Sequence, residues 1–187
     1  MRPINILAIS GSLRAASINS AFCRAAQRLA PATMNVSVFT GLGALPLFNP
    51  DLELDPPPSV RDFRDAVGRA GALVIASPEY AHGISGVMKN ALDWLVSFEG
   101  FVDKPVALIN TSPRAQQAQA SLREILQTMS AYIVQQASVG IPLLGACITE
   151  DAMLASSEVS GQIRSALAAL VDALDGRRTT GASFPLG

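Results

Sequence analysis

The chain has 187 residues, 49% of them hydrophobic and 16% charged, with a formal net charge of -1. That is enough apolar material for one domain with a sizeable core, and it excludes a disordered chain. Near-neutrality argues against general nucleic-acid binding, which needs a basic face, and no apolar stretch approaches the ~20 residues of a membrane-spanning helix.

In chain order, Ile4–Ser10 reads as a strand with apolar residues on both faces, as expected where helices cover both sides of a parallel sheet. It is short and broken by Ser10-Gly11-Ser12, so it is read as a strand and not as a signal peptide. Ala21, Phe22, Ala25, Ala26 and Leu29 recur at helical spacing before Pro31, which predicts a helix over Ile18–Ala30. Asn35–Phe39 alternates and is the second strand. Thr40–Ser59 is a long Gly- and Pro-containing connection, and its apolar Leu45, Leu47 and Phe48 should pack on something. A helix over Val60–Ala70 leads to the third strand, Ala72–Ser77. The loop Pro78–Gly83 follows, then a helix over Gly86–Ser97 and a fourth buried strand, Lys104–Ile109. Polar Asn110-Thr111-Ser112-Pro113 ends that strand. Next come a helix over Ala115–Met129 and a fifth, alternating strand, Tyr132–Ala137, of the kind that suits a sheet edge. Gly140–Asp151 reads as irregular, and Glu158–Leu174 as the last helix. The fold is expected to be a single domain over 1–176, with 177–187 a mobile tail.

Five alternations of strand and helix predict an α/β sandwich with a parallel sheet and right-handed crossovers. For a strand order of 2-1-3-4-5, the binding crevice lies between strands one and three, at their carboxyl ends. The turn after strand one then faces the Pro78–Gly83 loop. That turn precedes a helix start, where unpaired N–H groups and the helix dipole favour an anion. Ser12, Ser17, Asn19 and Ser20 add donors, and Arg14 adds a fixed positive fork. Gly11 allows a sharp turn or a close approach of backbone to a ligand. The plainer reading is that Ser17 or Asn19 caps the helix and the serines are turn residues. Neither a Gly-Lys-Ser/Thr nor a G-x-G-x-x-G pattern is present, so the stretch does not name the ligand. Cys23 and Cys147 lie far apart and read as small core residues. His82 alone cannot build a His-based metal site and reads as a hydrogen-bonding or exposed loop residue, so no metal is expected.

Gly11-Ser12-Leu13-Arg14 with Ser17 and Asn19, then Pro78-Glu79-Tyr80 with Gly86 and Lys89-Asn90-Ala91-Leu92-Asp93-Trp94, resemble the NADPH-dependent FMN reductase family over roughly residues 4–174. These are flavodoxin-like enzymes that include quinone, chromate and azo-dye reductases. The resemblance implies a flavodoxin-like three-layer sandwich and a bound FMN. It carries the phosphate role onto Ser12, Arg14, Ser17 and Asn19, with Leu13 and Ile18 beside them. It carries the isoalloxazine wall onto Pro78, Glu79, Tyr80, Ala81, His82 and Gly83, with Ser112 approaching the ring from the third loop. Two departures stand out. Many members have Asn where this chain has Ala81, and a glycine-rich third loop where it has Thr111-Ser112-Pro113-Arg114. The implied activity is hydride transfer from NAD(P)H through the flavin to a quinone, chromate or azo acceptor, with no protein acid or base. A flavodoxin-type carrier lacking NAD(P)H activity is the alternative, disfavoured by the near-neutral charge. A non-flavin anion-binding module is a second alternative. Apolar residues in Leu45–Leu54 and around Trp94–Phe101 suggest a subunit interface, and the resemblance also implies a homodimer or homotetramer. With no signal peptide, membrane stretch or paired cysteines read from the sequence, a cytoplasmic setting is expected.

Overall fold

The first strand sets the layering. In β1 (Ile4–Ser10), Ile6 and Ala8 join one apolar cluster and Leu7 and Ile9 the other. The same alternation recurs in β3 (Ala72–Ala76), where Ala72, Val74 and Ala76 oppose Leu73 and Ile75. In β6 (Pro105–Ile109), Ala107 and Ile109 oppose Val106 and Leu108. Side chains alternate across a strand, so each of these strands has two core faces and needs helices on both. A computed structural model describes residues 3–143 and 148–180 of the chain and shows that arrangement. On one face lie α1 (Ile18–Leu29), the short α5 (Glu150–Ala155) and α6 (Ser157–Thr180). On the other lie α2 (Pro58–Arg69), α3 (Gly86–Asp93) and α4 (Gln116–Thr128).

With β2 (Met34–Phe39) and β7 (Tyr132–Ile133), the sheet runs β2-β1-β3-β6-β7, and every pair is parallel. This is the expected 2-1-3-4-5 order. The numbers differ only because a small antiparallel hairpin, β4 (Glu79–Tyr80) and β5 (Gly83–Ile84), intervenes.

The edge strand departs from the expected Tyr132–Ala137. Only Tyr132 and Ile133 pair in register with β6, and Gln135–Ala137 coils into a 3-10 turn. Ser138 bridges the interruption: its hydroxyl accepts from the Leu108 N–H at 3.0 Å and donates to the Val134 carbonyl at 2.8 Å. The chain then rejoins the end of β6. Asn110 N donates to Val139 O (3.0 Å), Ile141 N to Asn110 O (2.9 Å) and Leu143 N to Thr111 O (3.1 Å). Residues read as irregular from Gly140 onward therefore begin by extending the sheet edge. They also include the first two residues of α5, which is capped by Thr149 and tied to α1 by Arg24–Glu150 (2.8 Å) and Arg28–Glu150 (3.2 Å). Cys147 lies outside the described residues, whereas Cys23 is buried in the core. The last helix continues past Leu174 to Thr180, and so takes in residues 177–180 of the expected tail. The remainder of that tail, 181–187, lies outside the described residues.

The long connection after β2 is fastened by the Lys89–Trp94 motif. Trp94 Nε1 and Asn90 Nδ2 both donate to the Pro46 carbonyl, at 2.8 and 2.9 Å, and Phe48 N donates to Asn90 Oδ1 at 2.8 Å. Phe48 meets the Trp94 ring edge-on at 5.1 Å. Trp94, Leu95 and Phe101 are fully buried in the protein's own core, which corrects their expected place at a subunit interface. An apolar aromatic motif next to a long loop packs on that loop first. Leu47, 84% exposed, and Leu54, wholly exposed, remain outside.

Candidate active site

Three chain segments converge at the carboxyl ends of β1, β3 and β6. They enclose an open cleft of 340 Å³, within the range of small-ligand sites. Loop one, residues 11–17, is shaped by its own serines. Ser10 Oγ accepts from Ser12 N and Ser12 Oγ from Arg14 N, each at 3.3 Å, while Ser10 and Ser20 share a hydroxyl–hydroxyl bond of 2.9 Å. Ser17 caps α1, its Oγ accepting from Ser20 N at 3.2 Å. Capping uses a lone pair and leaves the Ser17 hydroxyl hydrogen as a donor, so the capping and anion-binding readings are compatible. With the Ser20 N–H satisfied by the cap, those of Ile18 and Asn19 open the helix at the cleft, which both residues line.

Gly11 serves close approach, though not toward a ligand. Its φ lies outside the left-handed region, and a Cβ there would sit 2.3 Å from Ser77 Oγ and 2.9 Å from Ser77 Cβ. Gly11 N donates to Ala76 O at 2.9 Å, and the Ser85 hydroxyl donates to Gly11 O at 2.5 Å. Loop one is thus clamped onto the end of β3 and the start of α3.

The second segment is a hairpin. Ala81 and His82, at φ 49° and 62°, form a two-residue turn with both central residues left-handed, the geometry that favours Asn-Gly. An Asn at the position of Ala81 would suit this backbone conformation. Ala81 and His82 stand at the exposed tip, with Gly83 just behind it, and none of the three lines the cleft. Glu79 does line it, but its carboxylate is engaged elsewhere. Oε2 accepts from Ala118 N at 2.9 Å, in the first turn of α4, and Oε1 lies 3.3 Å from His82 Nδ1. The helix has no side-chain cap of its own, so Glu79 supplies the missing acceptor and complements the dipole.

The third segment adds Thr111, Ser112, Arg114 and Ala115. Ser112 is held by Asn110 Oδ1 at 3.0 Å, and its own Oγ accepts from Arg114 N at 3.3 Å. Of the residues singled out from the sequence, Ser12, Arg14, Ser17, Ile18, Asn19, Pro78, Glu79, Tyr80 and Ser112 meet at this cleft. Leu13, 60% exposed, turns to a second concavity on the other side of loop one, with Val38, Phe39 and Leu42. Ser77, Thr111, Arg114 and Leu143, with Ala16 and Ala115, also line the cleft and do not stand out in the sequence as site residues. Ser77 and Thr111 looked like strand-end residues, and Leu143 arrives only because the edge strand resumes.

The cleft is thus lined by donors, namely helix N–H groups, hydroxyls, the Asn19 amide and Arg14, and by the less polar Pro78, Tyr80, Ala115 and Leu143. A phosphate attached to a flat, largely apolar ring matches that polarity. Among the described residues no cluster of three or more His, Cys, Asp or Glu is placed to hold a metal, and no helix is long and apolar enough to cross a membrane.

Comparison with known proteins agrees with this chemistry. Residues 4–143 match the family model described as NADPH-dependent FMN reductase. An NAD(P)H-dependent FMN reductase of Pseudomonas aeruginosa is 36% identical over 144 residues, 74% of this chain and 77% of its own. A 2-hydroxy-1,4-benzoquinone reductase of a Burkholderia species is 34% identical over 139 residues, 71% of this chain and 75% of its own. Among solved structures, the flavoenzyme NAD(P)H:(acceptor) oxidoreductase of Paracoccus denitrificans superposes with a TM-score of 0.74. It is 27% identical, covering 90% of this chain and 98% of its own.

Proposed function

Since this chain belongs to the NADPH-dependent FMN reductase family and is an FMN-dependent NAD(P)H oxidoreductase, we propose which of its residues hold the cofactor and what accepts the electrons. The FMN phosphate sits on loop one, against Ser12, Arg14, Ser17 and the N–H groups of Ile18 and Asn19. Pro78, Tyr80 and Ser112 would hold the isoalloxazine. One observation supports this most: the donors of loop one and α1 face the same cleft as the apolar wall, while the nearby Glu79 carboxylate is bound to α4.

When bound, FMN supplies the redox chemistry, taking hydride from NAD(P)H and passing electrons to an acceptor. The chain's own residues bind and orient. Loop one holds the anion, and its charge-assisted bonds are worth about 1.5–3 kcal/mol each. Pro78 and Tyr80 would hold the ring, and Tyr80, 56% exposed, would leave NAD(P)H and then the acceptor access to it. We assign quinones as the acceptor class, with chromate and azo compounds as further candidates. The reading sets the protein in the cytoplasm, where a free thiol such as that of Cys23 persists. It also makes Leu47, Leu52 and Leu54 the contact with a second copy, to be tested by light scattering on the eluting protein. A monomer would refute that contact.

The direct assay is anaerobic addition of NADPH to the purified yellow protein. Bleaching of the flavin band, and its return on adding a benzoquinone, is expected. A flavin that NADPH leaves oxidised would refute the reading. Arg14→Gln should raise the FMN dissociation constant about tenfold or more, the loss of one charge-assisted bond.

A further inference from the structure

Thr111 sits just past β6, buried to within 5% of its surface, and its hydroxyl donates to Asn19 Oδ1 at 2.8 Å. Asn19 is the second residue of α1, equally buried, and lines the cleft. A side-chain amide has an acceptor end and a donor end, and only the donor end attracts an anion. With Oδ1 turned to Thr111, the NH₂ group of Asn19 is the end left to the cleft. The reversed amide would aim a carbonyl oxygen at the phosphate. Thr111 is itself fixed, because its carbonyl accepts from Leu143 N where the edge strand resumes.

We infer that Thr111 is a positioning residue for phosphate recognition. Its hydroxyl satisfies Oδ1 of the buried Asn19 amide while the NH₂ donates to the FMN phosphate, and this pair contributes to the choice of FMN over riboflavin. The inference rests on the proposed placement of the phosphate at loop one. Threonine serves because it offers an O–H at that point, which valine of the same shape lacks and serine keeps.

The test compares FMN with riboflavin, which has the same ring and no phosphate. Apoprotein prepared from the wild type, Thr111→Val, Thr111→Ser and Arg14→Gln is titrated with each, and quenching of flavin fluorescence is read. Thr111→Val is expected to weaken FMN about tenfold, the effect of one misplaced charge-assisted bond, while riboflavin changes less than about twofold. Thr111→Ser should bind both like the wild type. A merely structural role would weaken both flavins alike in Thr111→Val, and that result overturns the inference. Full FMN preference in Thr111→Val overturns it too, while its loss in Arg14→Gln keeps the phosphate at loop one. A wild type that binds riboflavin as tightly as FMN overturns the inference together with the placement it rests on.

Discussion

Gly11→Ala adds one methyl group at the point where loop one is clamped. The new Cβ would lie 2.3 Å from Ser77 Oγ, 2.9 Å from Ser77 Cβ and 3.1 Å from Ser85 Oγ. Rotating Ser77 about χ1 moves its Oγ but not its Cβ, so the clash is relieved only by moving backbone. Overpacking of this kind costs about 1–3 kcal/mol. Taking about 2 kcal/mol, the melting temperature of a chain this size should fall by roughly 4–8 °C. Because Ser85 holds the Gly11 carbonyl, the displaced loop should also weaken FMN binding. The assay is thermal unfolding of the apoprotein in a mutant cycle with position 77. Measured against the matching Ser77 background, the cost of Gly11→Ala should be partly relieved by Ser77→Ala, which removes the 2.3 Å contact. It should be relieved further by Ser77→Gly, which removes the 2.9 Å contact as well. A Gly11→Ala protein as stable as the wild type, or an equal cost in all three backgrounds, would refute the reasoning.

Three further outcomes follow from other parts of the molecule. Ala81→Asn should stabilise by about 0.5–1 kcal/mol, since Asn tolerates the left-handed conformation that Ala81 holds at φ 49°. It should leave FMN affinity unchanged, and a large change in binding would put the turn in contact with the flavin after all. Asn90→Ala removes both amide bonds to the 46–48 segment and should cost about 2 kcal/mol of stability, read as a lower urea midpoint. Cleavage by chymotrypsin near Leu47 and Phe48 should quicken in that variant, and an unchanged digestion rate would contradict the clamp. Burial pushes the Cys23 thiol from 9.0 up to about 12, so the folded state keeps a proton that the unfolded chain loses. The contribution is complete below pH 9 and is lost as pH rises toward 12, at about 1.4 kcal/mol per pH unit. Urea unfolding at about pH 9 and pH 11 should show a shallower alkaline loss in Cys23→Ala than in wild type, and parallel losses would exclude the thiol as a cause.

The central layers were legible in the sequence because their signal is local. Ile4–Ser10 and Ala72–Ser77 are apolar on both faces, and only a doubly covered strand buries such a run. The edge was not legible. Ser138 substitutes a hydroxyl for a strand bond only because Leu108 and Val134 happen to flank it in space. The hairpin was missed because Ala-His is a poor turn sequence, held in place by neighbours and not by preference. The α5 helix buries Met153 in the core and pairs through Glu150 with the arginines of α1, more than a hundred residues earlier, so its contacts are not local in sequence. At the site, the polar turn of loop one and Pro78–Tyr80 announced themselves by composition. Thr111 did not, because its partner Asn19 is 92 positions away. The carboxylate of Glu79 looked like a flavin contact from its loop position, and only the start of α4 reveals what it binds.

The measurement that bears most directly on the whole account is the structure of this protein crystallised with FMN. The phosphate should lie within hydrogen-bond distance of Ser12, Ser17 and the first N–H groups of α1, with the ring against Pro78 and Tyr80. A cofactor seated beside Leu13 in the neighbouring concavity, or bound with its phosphate turned to solvent, would contradict it.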